Sequence, residues 1–180
     1  MTKSGLSKES LVTSMAAYLL ENGMAGASLR PLAKAAGTSD RMLIYHFGNK
    51  ERLIEDVLGF IATDYSSKLD KAFGKHPVAT REEAVQRVLT FTGDVQMRPF
   101  MALWWEIVAG AARAIPGYRE SAQAIMDSLL TWFEGQMPTD DPDPAGGAKK
   151  LLTMIEGSEM FSIIGMANIG NDGIEAAKPL

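Results

Sequence analysis

Apolar residues recur along this chain at spacings of three and four, the period of a helix with one buried face, and nowhere in the two-residue alternation of a strand. Behind Ser7, the residues Leu11, Val12, Met15, Ala16, Leu19 and Leu20 form one such stripe, which Asn22-Gly23 ends. Leu29, Leu32, Ala33 and Ala36 form a shorter one after Ser28, placed as its N-cap, with Pro31 tolerated in the first turn. Gly37 then permits a tight turn, and Thr38-Ser39 offers hydroxyls to cap the next helix. That pattern, Asp40 to Phe47, predicts a helix that buries Leu43 and Phe47 and leaves Asp40, Arg41, Met42, Tyr45 and His46 for other work. Gly48 stops it. Asn49 caps a long helix marked by Leu53, Ile54, Val57, Leu58, Ile61, Tyr65, Leu69 and Phe73, roughly 35 Å at the helical rise per residue.

Beyond it, Gly74 to Thr80, containing His76-Pro77, reads as a loop. A helix comes next, from about Arg81 to Gln96, with Ala84, Val85, Val88, Leu89 and Thr92 inward. Pro99 marks a break before Phe100 to Ala114, which is apolar almost all round and so predicts a buried helix. Pro116-Gly117 punctuates again before Tyr118 to about Gln136. MPTDDPDPAGG has the composition of an exposed linker, Ala148 to Ile169 predicts the last long helix, and the tail from Gly170 has room for a short final turn. The expected fold is all-α: a three-helix head over residues 1–50 containing a helix-turn-helix, joined by a long helix to a helical body over residues 51–180.

Charge sharpens this division. The chain carries −4 overall, but residues 1–52 hold seven Lys/Arg against four Asp/Glu, so a head of +3 precedes a remainder of −7. A basic head on an acidic body suits a protein that meets phosphate through one end. Cysteine is absent, which excludes disulfides and thiolate metal sites, and two histidines, His46 and His76, exclude a multi-histidine metal site within one chain. The start, MTKSGLSKES, lacks the apolar segment of a signal peptide, and the longest uncharged apolar run, Met160 to Asn171, is too short to span a bilayer. A cytoplasmic protein with no membrane association and no cofactor is the expectation.

Helix, short glycine turn, helix is the pattern in which the second helix enters the DNA major groove. On the residues ENG, then ASLRPLAKAAGTS, then LIYHFGNKERL, in that order and spacing, the stretch of roughly residues 10–60 resembles the tetracycline-repressor (TetR) family of bacterial regulators. The resemblance implies a homodimer that binds a palindromic operator in double-stranded DNA and loses affinity when a small-molecule effector occupies the body. It places Ser28, Tyr45 and Lys50 at phosphate-contacting positions, His46 near the duplex, and Arg41 and Met42 at the variable positions facing base edges. Arg30 and Ser39 are counted with the DNA-binding set. Asp40 stands where a lysine or other polar residue is more usual, and Ile44 replaces a common tyrosine. Asp40 can accept from a cytosine amino group or simply favour the helix N-terminus. Competing readings are capping alone for Ser28 and Ser39, packing for Tyr45 and a solvated surface for Arg41. Lys50 lies where free N–H groups of the long helix already suit a phosphate.

In the body, Trp104-Trp105 with Glu106 beside them suggest a ligand pocket, to which Met101, Met126 and Trp132 are added as deformable or aromatic lining. Residues of these types at helical spacing also build ordinary cores. Glu106 is expected either to receive a cationic or hydroxylated ligand or to pair with an arginine such as Arg113. Ser158, Ser162 and Gly165, with Leu151 and Ile155 nearby and with Leu129 and Phe133 from the preceding helix, suggest a close-packed dimer interface, against burial within one subunit. No HExxH, GxxxxGK[ST] or GxGxxG is present. The reading is a ligand-responsive repressor and not an enzyme; the alternative is an all-helical small-molecule-binding protein or enzyme using Glu106.

Overall fold

A computed structural model describes residues 7–74 and 78–176 of the chain. Within them the regular structure is helical: α1 (Lys8–Asn22), α2 (Leu29–Ala35), α3 (Asp40–Phe47), α4 (Lys50–Phe73), α5 (Arg81–Thr92), α6 (Arg98–Ala112), α7 (Tyr118–Gln136), α8 (Pro144–Ile163) and α9 (Ala167–Ala176), with single 3-10 turns at Met24–Gly26 and Val95–Met97. The expected all-α architecture with a helix-turn-helix head is what forms. The N-terminal six residues and His76-Pro77 lie outside the described residues.

Local chemistry sets the helix ends in the head. The Ser7 hydroxyl accepts from the Ser10 N–H, and Gly23, at φ 68°, closes α1 by donating to the Leu19 carbonyl. Gly37, at φ 65°, makes the turn after α2 in a conformation that a residue with a Cβ rarely adopts. The Ser39 hydroxyl caps α3 on the Met42 N–H, and the Asn49 side chain caps α4 on the Arg52 N–H at 2.8 Å. Ser28 sits at the N-cap of α2 without making that bond.

The chain forms two compact units. Among the described residues, one comprises 7–67 and 96–125, and the other 68–74, 78–95 and 126–176. The core of the first joins Leu11, Met15 and Leu19 of α1, Leu32 of α2, Leu43 and Phe47 of α3, Leu53 and Val57 of α4, and Leu103 and Ile107 of α6. Three short helices have little interior of their own, and α4 and α6 complete it. In the second unit α8 packs along α9 and against α5, burying Ala84, Val85, Val88, Phe133, Leu151, Ile155 and Ile174.

Several boundaries differ from expectation. α5 stops at Thr92, and the polypeptide passes through Gly93 and a 3-10 turn rather than continuing to Gln96. Pro99 lies within the first turn of α6, where its missing N–H costs nothing, rather than before the helix. α6 buries Leu103, Ile107 and Gly110, while Phe100, Met101, Trp104, Trp105 and Val108 are half-buried, so it is not enclosed all round. α8 begins at Pro144, because Asp143 caps it on the Gly146 N–H, and takes up part of the supposed linker. That segment is also tied down: Arg81 grips Asp141 with two bonds, Nε at 2.6 Å and Nη2 at 2.5 Å, and reaches the Asp143 carbonyl at 2.9 Å. The Asp141 side chain is thereby buried, not exposed. Gly165, at φ 80°, ends α8 at Ile163 and separates it from α9, where one helix to Ile169 was expected.

Candidate nucleic-acid interface

The interface begins with what α3 hides. Leu43 and Phe47 are one turn apart and face the core, so residues about half a turn away point outward. Tyr45 is 77% exposed, and Arg41 and Met42 flank it on the same outer face. Asp40 and Ile44 occupy one edge, both exposed, and His46 the other, half-buried and edge-on to the Tyr45 ring at 5.3 Å. Ser28, Arg30, Ser39 and Lys50 are exposed as well. All nine predicted DNA-binding residues therefore lie in the first unit with none lost to its core.

Their hydroxyls divide by role. Ser39 is used as a cap, whereas Ser28, at the start of α2, makes no side-chain capping bond. Lys50 is the first residue of α4, whose free N–H groups and positive helix end suit an anion. Lys8, to which sequence reasoning assigned no role, lies 5.0 Å from the centre of the Phe47 ring and pairs with Asp56 at 2.6 Å. It braces the end of α3 from α1, an arrangement between distant positions that no local pattern announces. Met42 and Ile44 present apolar surface on a helix otherwise lined with polar groups, the kind that meets thymine methyl groups.

The predicted ligand residues fall in both units. Met101, Trp104, Trp105 and Glu106 belong to the first, and Met126 and Trp132 to the second. Glu106 makes its hydrogen bond to the backbone: its Oε2 accepts from the Met24 N–H at 2.7 Å. Trp132 donates from its indole to Asp70 and stands edge-on to Phe73, at 4.7 Å, and to Phe133, at 5.1 Å, which makes it a packing residue of the second unit. The Trp105 Nε1 is buried without a hydrogen-bond partner among the described residues, a donor with capacity to spare. Tyr118, at the start of α7, lies over Gly110, and its phenol titrates above the ordinary tyrosine range because of burial and, secondarily, the Glu106 charge.

The predicted dimer residues are mostly interior. Phe133, Leu151, Ile155 and Ser158 are buried inside the second unit, Leu129 is half-buried, and only Ser162 and Gly165 are exposed. The small-residue spacing does mark a close helix approach, but to α9 of the same chain: a Cβ on Gly170 would lie 2.8 Å from the Ser158 Cα. A cluster of uncovered apolar residues, Met160, Ile163, Ile164, Met166 and Ile169, lies around the α8–α9 turn. Among the described residues no His/Cys/Asp/Glu cluster could hold a metal ion, and no helix is long and apolar enough to cross a membrane.

Comparison with known proteins converges on the head. The family model for bacterial regulatory proteins of the tetR family matches residues 16–57, from the middle of α1 into α4. The HTH-type transcriptional regulator PksA of Bacillus subtilis (strain 168) is 23% identical over 163 residues, covering 87% of this chain and 78% of that one. The transcriptional regulator SCO7518 from Streptomyces coelicolor A3(2) is 25% identical, with a TM-score of 0.66 over 85% of this chain and 84% of its own. The multidrug binding protein EbrR, solved with proflavin, shares the fold at 17% identity, with a TM-score of 0.68 over 94% and 96% of the two chains. The matched segment lies across the exposed helix-turn-helix, so over residues 16–57 this chain is similar to the bacterial regulatory proteins of the tetR family, and a regulator aligns with it through most of both chains.

Proposed function

We propose that this protein is a dimeric, ligand-responsive transcriptional repressor that binds a palindromic operator and is released from it by a small, largely apolar effector. The observation that carries the DNA half is the outer face of α3, where Arg41, Met42 and Tyr45 stand clear of a core built on Leu43 and Phe47. In this reading Ser28, Arg30, Tyr45, His46 and Lys50 hold phosphates, and Asp40, Arg41 and Met42 read base edges, with Ser39 fixing the helix start. Two heads in successive major grooves require half-sites about 34–36 Å apart. The setting is the cytoplasm, where the operator is.

Support for dimerisation is the exposed apolar surface of Ile163, Ile164 and Met166, joined by Met160 and Ile169, which a second copy would remove from water. Support for an effector is the half-buried Met101, Trp104 and Trp105 with the unpartnered Trp105 N–H, which favours a flat apolar molecule carrying one hydrogen-bond acceptor. The proflavin complex of EbrR is consistent with such a class. An effector lowers operator affinity by no more than its differential affinity for the two conformations.

Selection of duplexes from a random pool, followed by mobility-shift titration across salt concentrations, tests the proposal. The expected result is enrichment of an inverted repeat bound with a steep negative salt slope. Enrichment of no sequence, or of a single unrepeated half-site, would falsify the dimeric operator-binding reading.

A further inference from the structure

We infer that Glu106 of α6 is a positioning residue for the helix-turn-helix, acting on the link between α1 and α2 and not on an effector; the inference rests on the DNA-binding reading above. That link begins at Gly23, where α1 ends. The Gly23 N–H still bonds back to the Leu19 carbonyl, but its ψ of −174° turns the chain out of the helix, and the Met24 N–H has no helical carbonyl behind it. Met24 is buried, so leaving this donor unpaired carries a desolvation cost. The Glu106 carboxylate supplies the acceptor, at 2.7 Å, from 82 positions away.

The close approach depends on what position 23 lacks. A Cβ on Gly23 would overlap Oε1 of Glu106 and stand 2.9 Å from Oε2, and at φ 68° the backbone there already disfavours a side chain. On the other side of the link, a Cβ on Gly26 would lie 2.8 Å from the Tyr18 ring of α1. The 3-10 turn Met24–Gly26 is thus clamped between Tyr18 and Glu106, with a glycine at each point of contact. The direction in which α1 hands over to α2, and through Gly37 to α3, is held by a group on α6.

Without that acceptor the link samples other directions, and operator binding must order it at an entropic cost. Binding that depends only on charge is spared, because every exposed Lys and Arg remains. The experiment uses the full-length protein with Glu106→Ala, Glu106→Asp and Glu106→Gln, a selected operator duplex, an unrelated duplex of equal length, and hydrogen exchange at the Met24 amide. For Glu106→Ala, and for Glu106→Asp, whose carboxylate is withdrawn by one methylene, Met24 exchange accelerates and operator affinity falls about tenfold, while affinity for the unrelated duplex is unchanged. Glu106→Gln retains an oxygen acceptor and recovers most of both. If Glu106→Ala fails to fold, the Asp and Gln pair carries the comparison. Unchanged Met24 exchange, or faster exchange with operator affinity intact, overturns the inference while leaving the repressor reading standing. A wild-type protein that does not distinguish the two duplexes overturns the repressor reading itself.

Discussion

At the residue scale, the proposed interface divides groups that would choose a sequence from groups that would hold a backbone. Arg41 projects from that face, and a guanidinium can bond guanine at O6 and N7 together. Arg41→Ala is expected to flatten base preference at one operator position, at about 1–3 kcal/mol of discrimination, measured by titrating single-base variants of the selected duplex. Lys50→Ala should instead weaken all duplexes alike and reduce the salt slope by about one unit. A Lys50→Ala slope equal to that of the wild type removes Lys50 from the phosphate set. The α3 residues were legible in the sequence because each is local: its exposure follows from the three- and four-residue spacing of Leu43, Phe47 and their neighbours. Glu106 was not legible. Its partner is the backbone of Met24, and a backbone donor has no sequence signature.

At the element scale, a side-chain cap was readable where an apolar stripe followed it directly, and was missed where it lay inside a Pro- and Asp-rich segment. Ser7, Ser39 and Asn49 cap where they stand, so α1, α3 and α4 begin where the sequence predicts. α8 begins earlier than expected because Asp143 and Pro144 make an N-terminus out of a segment that looks like a linker. Arg81 then binds Asp141 and holds its carboxyl below the usual aspartate range, chiefly through their hydrogen bonds. A depressed folded-state value gives stability that is present above the ordinary aspartate pKa of about 3.9 and is lost as pH falls through the lower one. Asp141→Asn should therefore melt at a lower temperature than wild type at neutral pH, with the two curves converging as pH falls towards about 2. Parallel melting curves across that range would contradict a pH-linked role for the pair. The α8–α9 contact makes a second test: Gly170→Ala places a Cβ 2.8 Å from the Ser158 backbone, which cannot yield as a side-chain tip can. A loss of about 1–3 kcal/mol in urea denaturation is expected, and a neutral effect would mean that α9 shifts freely.

At the scale of the whole molecule, the proposed repressor needs a second copy to reach both halves of its operator. Ile163 and Ile164 are 55% and 61% exposed, and a charge placed among them should oppose burial against a partner. Ile164→Glu is expected to sediment with the mass of one chain where wild type sediments with the mass of two, and to lose affinity for the full inverted repeat more than for a half-site. A variant that remains dimeric places the interface elsewhere. The helical class, the helix-turn-helix and its outward residues are set by the amino-acid order alone, because helical period, caps and glycine turns act within a few positions of one another. Which apolar faces become core and which stay uncovered emerges only when the helices meet. Phe133, Leu151, Ile155 and Ser158 look like an interface in sequence and are interior, while Ile163 and Ile164, at the end of the helix that carries the last three of them, stand in water. An apolar stripe states only that a face is to be buried. What buries it depends on which other face fits it, and here Gly170, having no side chain, lets α9 cover Ser158 within the same chain.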